Sequence, residues 1–398
     1  MSDFNSLIEK AIFRLRKKKI VLNALGSSAT SRCVGDVLLY YKTDAIFSKR
    51  LRNSYKHTND SEVIEFIKVL HELGYRVDLV DRAASWEDVQ ALLDKKYIMY
   101  IANAAGNSAP LHVKISRAID AACKVYYAAG PEPGKSNELV HKRHAEFEER
   151  TGSKCVRRRV LREANFEERL DNMDAVFYVG SDFSASTFRT VCSLPLFRIR
   201  PSTSPSLHLD VSSLRKKSPK CFLYFGGNGL ICKGLDLVLE SFDGLSNLSL
   251  DVCGPGNEAD FWDYYQPLLL RNPQIKFHGF VDVNGSLFER LTAKAGFNIF
   301  PSCSEGCATS VVTTMRRGLI PVVTRESGVD LGRFGFSLED ISVRNIRNVV
   351  NSLSSMPQDE LYRRTLDSYA ASGEYSLDSF RRSITDAILN VLYIKGVI

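Results

Sequence analysis

The sequence predicts an α/β protein made of two doubly wound domains, and three observations carry that reading. Its 398 residues exceed one typical domain and suit two cores of comparable size. Short apolar runs alternate with amphipathic segments in both halves of the chain, the pattern of parallel strands joined by crossover helices. Between the halves, residues 200–219 change character: Pro201, Pro205 and Pro219, a run of serines and few large apolar residues mark a linker. A first domain is therefore expected over 1–199, a linker over 200–219 and a second domain over 220–375. A last helix over 376–398 is apolar enough to pack back on the first domain.

Taken in order, residues 3–16 place Phe4, Leu7, Ile8, Ile12, Phe13 and Leu15 at near-helical spacing, a basic amphipathic helix. Residues 19–25 read as a first buried strand ending in Gly26-Ser27-Ser28. A glycine at a strand end lets a phosphate approach the backbone, which makes Gly26 a candidate ligand position; its other reading is a plain turn. Asn59-Asp60-Ser61 caps a helix that Gly74 stops, and a strand over 75–80 follows. Helices over 86–94, 111–121, 136–151 and 184–192 then alternate with strands over 97–102, 123–129 and 175–180. In the second domain, strands are expected over 221–225, 248–253, 275–279, 297–300 and 320–323. The intervening helices are expected over 234–242, 258–271 with an interruption at Pro267, 286–294 and 308–317, and further helices over 343–353, 359–369 and 377–394.

Composition narrows the function. Hydrophobic residues at 44% and charged residues at 25% are ordinary for a globular enzyme, which excludes a fibre or a wholly disordered chain. No apolar stretch approaches the roughly 20 residues that span a bilayer, and Met-Ser-Asp-Phe-Asn lacks the features of a signal peptide, so a cytoplasmic location is expected. Nine cysteines without Cys-x-x-Cys spacing read as reduced core residues. The net charge of +7 is concentrated in Lys17 to Lys19, Arg157 to Arg159 and Lys216-Lys217. These clusters read as solvated faces or as a peripheral contact with the inner, anionic face of a membrane or with a lipid-linked phosphate acceptor. Without aromatic interleaving or a recognition motif they do not suggest nucleic acid.

Two stretches carry chemistry. Gly226-Gly227-Asn228-Gly229-Leu230-Ile231-Cys232-Lys233-Gly234 resembles a phosphate cradle, with backbone N–H groups open to an anion and Lys233 supplying a point charge. It is not a P-loop, and its glycines do not fit G-x-G-x-x-G; a tight strand-to-helix turn is its other reading. Pro301-Ser302-Cys303-Ser304-Glu305-Gly306 lies between a strand and a helix start. There a carboxylate can accept hydrogen bonds from sugar hydroxyls or stabilise positive charge developing at a sugar carbon, or simply cap the helix. Thr309 and Ser310 share that ambiguity between helix cap and phosphate ligand.

In combination, Gly227 through Gly234, Cys253-Gly254, Phe277-His278-Gly279, Pro301-Ser302, Glu305-Gly306, Met315, Gly318 and Pro321-Val322 resemble the retaining glycosyltransferases of the GT-B fold, in the large family numbered four. The resemblance implies two Rossmann-like domains facing each other across a cleft. It implies transfer of a sugar from a nucleotide-sugar donor to a glycan, lipid-linked or small-molecule acceptor with retention of configuration. The nucleotide sugar is a substrate, and no metal or other cofactor is required. By the same resemblance, Lys233 holds the donor diphosphate with Gly227, Asn228, Thr309 and Ser310, Glu305 and Gly306 meet the donor sugar, and Phe280 and Val281 lie by the base. The family carries a second glutamate where this chain has Thr313 and an arginine where it has Asn228. These two departures motivate a rival reading, a nucleotide-sugar-binding protein that has lost turnover. The family's histidine near the sugar is assigned to His112, with an ordinary helix residue as its other reading and His57 as the second candidate. His141, His144 and Glu148 read as a solvated face rather than a metal site.

Overall fold

The computed structural model describes residues 19–26, 33–47, 58–161, 167–203 and 209–398. The helix expected over 3–16, Lys17, Lys18 and His57 lie outside the described residues. Two mainly parallel sheets organise the chain. The first holds β1 (Ile20–Val21), β2 (Gly35–Tyr41), β3 (Tyr75–Asp81), β4 (Tyr97–Ala102), β5 (Ala121–Ala128), β6 (Ala175–Val179) and β7 (Leu196–Ile199), in the order β1-β3-β2-β4-β5-β6-β7. The second holds β8 (Ser218–Phe225), β9 (Ser249–Cys253), β10 (Ile275–Phe277), β11 (Ala295–Phe300), β12 (Ile320–Val323) and β13 (Phe336–Ser337), in the order β10-β9-β8-β11-β12-β13.

Helices cover the sheets. In chain order they are α1 (Asp44–Phe47), α2 (Thr58–Glu72), α3 (Trp86–Val89), α4 (Ala109–Ala118), α5 (Pro133–Thr151), α6 (Asp182–Arg189) and α7 (Leu235–Phe242). They continue with α8 (Ala259–Arg271), α9 (Ser286–Lys294), α10 (Thr309–Met315), α11 (Val343–Ser354), α12 (Gln358–Ala371) and α13 (Leu377–Ile394). Helix α8 is not interrupted: it runs through Pro267, which lies on its exposed face, where the carbonyl freed one turn earlier can reach water.

The start of the first sheet differs from expectation. The run 19–25 yields only the two-residue β1, antiparallel to β3 at the sheet edge. Asn23 (φ 44°) and Leu25 (φ 64°) enter left-handed geometry and turn the chain out of extension. The first interior strand in sequence is β2, which pairs in parallel with both β3 and β4 and buries Val37 through Tyr41 on both faces, as a doubly covered strand must. The edge strands β7 and β13 also complete sheets beyond the expected strands.

Strand order reverses between β2 and β4 in the first sheet and between β8 and β11 in the second. Ligands of open α/β sheets bind outside the carboxyl ends of strands at such switch points. The glycine turn follows β8 and the Glu305 loop follows β11, so the fold itself brings these two loops side by side.

The halves are also knitted together. Phe380, Ile384, Ile388, Val391 and Leu392 of α13 enter the core of the first sheet, and Arg381 pairs with Glu65 and Glu72 of α2, each at 2.6 Å. In the other direction Phe147 of α5 and Cys155 are buried in the core of the second sheet, with Phe147 edge-on to Tyr264 at 5.9 Å. All nine cysteines are free. Among the described residues no helix is long and apolar enough to cross a membrane.

Candidate functional site

A cleft of about 680 Å³ opens between the carboxyl edges of the two sheets. Its second-domain wall is built from Gly227, Asn228, Lys233, Glu305, Gly306, Thr309 and Ser310. Its first-domain wall includes Glu62, Arg82, Asn103, Ala129, Gly130 and Arg159.

Lys233 and Glu305 form its electrostatic centre. Lys233 Nζ donates to Glu305 Oε1, with both side chains largely buried. The Ser302 hydroxyl donates to the same oxygen at 3.3 Å, and Arg159 Nη2 reaches Glu305 Oε2 at 3.4 Å. The ammonium also lies 5.2 Å from the centroid of the Phe300 ring. Burial by itself pushes the Glu305 carboxyl up, but Arg159, Lys233 and the Ser302 hydroxyl together outweigh it and hold the group below its ordinary range. Burial likewise lowers the Lys233 ammonium, only partly countered by Glu305. The pair is therefore a charged carboxylate beside a partly desolvated cation.

Backbone contacts fix both loops. Gly234 caps α7 at φ 72°, and a Cβ there would lie 2.4 Å from the Pro301 carbonyl oxygen, so only glycine lets the two loops touch. The Cys303 N–H donates to the Cys232 carbonyl at 2.9 Å, the Glu305 N–H to Glu326 at 2.9 Å and the Ala308 N–H to Ser327 at 2.8 Å. The cradle itself is partly spent: Glu258 accepts from the Gly229 N–H at 2.5 Å and the Leu230 N–H at 3.2 Å. Glu258 was not legible as a site residue, since it stands beyond the next strand in sequence and reads as a helix-start carboxylate.

Five candidates lie elsewhere. Gly26 follows the antiparallel β1, which runs toward the amino edge of the sheet; the Ala24 N–H meets the Val77 carbonyl, and Gly26 is not part of the cleft lining. His112 is fully buried, with Nδ1 2.9 Å from the Tyr100 hydroxyl and Nε2 3.1 Å from the Arg169 carbonyl. Burial lowers its pKa to about 4, against a weaker upward pull from its bond to the Arg169 carbonyl, so it is a neutral core histidine. Thr313 is buried in α10 and its hydroxyl donates to the Thr309 carbonyl at 2.7 Å. Val281 packs under β8 with Leu223 and Phe288, whereas the neighbouring Phe280 is 88% exposed, and neither lines the cleft.

Among the described residues the basic clusters are mixed: Lys19, Arg157 and Lys216 are exposed, and three others turn to partners or to the cleft. Arg158 forks onto Asp260 at 2.8 and 3.1 Å, Arg159 enters the cleft, and Lys217 is buried with its ammonium on the Thr292 and Ala295 carbonyls. Arg157 sits 3.4 Å from His141 Nδ1 and 3.5 Å from Glu148, while His144 faces Cys232 at 3.7 Å. Arg159 and Glu62 are among the first-domain residues of the cleft that sequence reasoning did not assign to the site. A run of three arginines has no periodicity to show which one points inward. Glu62 is buried at the cleft, its pKa pushed up to about 7 by burial against the Ser202 N–H and the charge of Lys42.

No protein-family model matches the chain, and no curated protein matches it in sequence. Solved structures do match in fold. HepE of Anabaena in complex with UDP-glucose superposes with a TM-score of 0.58 at 14% identity, over 89% of this chain and 100% of that one. Sucrose-phosphate synthase from Thermosynechococcus elongatus gives 0.65 at 11% identity, over 90% and 99%. WaaG, a glycosyltransferase involved in lipopolysaccharide biosynthesis, gives 0.58 at 13% identity, over 89% and 99%. Two Rossmann-like sheets with a cleft between their carboxyl edges, shared along nearly the whole chain with these structures, give this protein the GT-B fold.

Proposed function

We propose that this protein is a glycosyltransferase that moves a sugar from a nucleotide-sugar donor to an acceptor hydroxyl, with retention of configuration. The observation that carries the reading is the buried Lys233–Glu305 pair at the switch point of the second sheet, facing the first domain across the cleft. A cation there suits the donor diphosphate, and the adjoining carboxylate suits the sugar's hydroxyls and the positive charge that develops at its reacting carbon. The fold shared with HepE bound to UDP-glucose supports a nucleotide-sugar donor. The acceptor, a glycan or a lipid-linked or small molecule, takes the first-domain wall, where Glu62 and Asn103 offer polar contacts. With the domains closed, water that would hydrolyse the donor is kept out. Lys233 and the Thr309 and Ser310 hydroxyls handle the phosphate charge without a metal, so transfer is expected to persist in EDTA.

A thermal-shift screen of UDP-, GDP- and ADP-sugars tests the reading, because a ligand that binds the native state raises the melting midpoint. The stabilising donor is then supplied with simple glycoside acceptors, and the product's anomeric proton is read by NMR. Stabilisation with release of the nucleoside diphosphate and a retained anomer is the expected result. No stabilisation by any donor overturns the reading. One observation favours a second reading, a nucleotide-sugar-binding protein without turnover: Glu258 occupies two N–H groups of the glycine turn. Donor binding with neither transfer nor slow hydrolysis would favour it. Co-sedimentation with anionic vesicles tests the membrane contact.

A further inference from the structure

We infer that Arg159, a residue of the first domain, is the second cation of the donor diphosphate subsite, so that this subsite is complete only across the domain boundary. The assignment rests on the donor-site reading above. Among the residues lining the cleft, the second domain supplies a single cation, Lys233, and Glu305 already shares it. A diphosphate carries more negative charge than one shared ammonium neutralises, and a guanidinium, with its planar fork of donors, is the side chain suited to the remainder.

Arg159, 36% exposed at the cleft, is held in position from both sides. On one side of it, Arg158 is forked onto Asp260 and the Val156 N–H donates to the same carboxylate at 2.6 Å. On the other, Leu161 exchanges two 2.8 Å hydrogen bonds with the Asn137 side chain. Between these clips Arg159 takes a left-handed backbone conformation (φ 67°), uncommon for a residue with a side chain. Its stem lies against the glycine turn: a Cβ on Gly229 would come within 2.5 Å of Arg159 Cδ and would displace the arginine. The head is loosely held. Among the described residues its hydrogen bonds run from Nη2 to the Ser304 carbonyl and to Glu305 Oε2, both at 3.4 Å, the long end of the range. A phosphate oxygen above Gly227 and Asn228 can therefore draw the fork away from Glu305 at small cost.

Titration calorimetry of the full chain with UDP, GDP and ADP and with UMP, GMP and AMP tests this. Wild type is expected to bind one diphosphate more tightly than its monophosphate. Arg159→Gln keeps the stem that packs on Gly229 and removes the charge. It should weaken diphosphate binding about tenfold or more while changing monophosphate binding less than about threefold. Asn228→Arg, placing a guanidinium on the neighbouring turn residue, should recover most of that loss in the Arg159→Gln background. Wild-type diphosphate affinity in Arg159→Gln, with Lys233→Ala losing it, overturns the role of Arg159 alone. Equal losses for mono- and diphosphates also overturn it, because they show only support of the turn. Wild type that binds none of the diphosphates overturns the donor-site reading and this assignment together.

Discussion

Lys233 and Glu305, 72 positions apart, meet as a largely buried ion pair because β8 and β11, the strands that precede them, are neighbours at the switch point of the second sheet. Removing one partner of such a pair leaves the other charge desolvated, so stability and chemistry must be measured separately. Lys233→Ala and Glu305→Gln are each expected to lower sugar transfer about 100-fold. Combined, they should cost much less than the product of the single effects, since they act as a unit. Initial rates with saturating acceptor, alongside melting curves, check this; wild-type rates in both single variants would remove the pair from the site.

The architecture was legible because parallel strands covered on both faces read as apolar runs. Phe222 to Phe225, Phe297 to Phe300 and Ile320 to Val323 show this, and the two loops that follow β8 and β11 were found by their glycine, lysine and glutamate. The start of the first sheet was not. Residues 19–25 and Gly35–Tyr41 are both apolar, and what separates them is backbone geometry at Asn23 and Leu25, which composition does not reveal. That His112 lies buried away from the cleft lining was not legible for a related reason. Its partners, Tyr100 and Arg169, come from distant segments, and only the folded chain shows that both ring nitrogens are satisfied. Arg159 and Glu62 face the cleft because of how loops and helices pack, and neither stands in a motif.

Arg143 of α5 and Asp236 of α7 form an ion pair between the halves in which both side chains are at most 1% exposed, and Arg150 reaches the same carboxylate at 2.5 Å. Asp236→Ala is expected to destabilise the protein by about 3 to 5 kcal/mol, because it strands a buried guanidinium. The paired Arg143→Met, Asp236→Leu variant should lose far less. Urea unfolding of the three proteins decides the matter, and a near-neutral Asp236→Ala would mean that the pair does not hold the halves together.

Glu62 gives a pH signature with a definite sign. Its folded pKa is raised to about 7 from 4.5, burial being the main cause and the Ser202 N–H and Lys42 partly opposing it. Between these values the folded state keeps a proton that the unfolded chain has released. The stabilising contribution is therefore full below about pH 4.5 and is lost as pH rises through about 7. Relative to Glu62→Gln, which can still accept from Ser202, the wild type should lose on the order of 3 kcal/mol across this window. Denaturation midpoints measured at pH 5, 6, 7 and 8 on both proteins test it, and parallel curves would refute it.

Gly306 brings the backbone of the site loop close to that of the first domain. A Cβ there would lie 2.3 Å from the Ala129 carbonyl oxygen and 2.9 Å from Gly130 Cα, and neither is a flexible side-chain end that could give way. Gly306→Ala must therefore push the 301–308 loop away from 129–130 and carry Glu305 with it. A displacement of about 1 Å in a positioned group can cost about 100-fold in rate, so transfer should fall by roughly that factor. Hydrogen exchange of the amides at 129–131 and 304–308 should quicken while exchange in β8 and β11 stays slow. Wild-type transfer in Gly306→Ala would show that the close approach of the two walls is not what places the carboxylate.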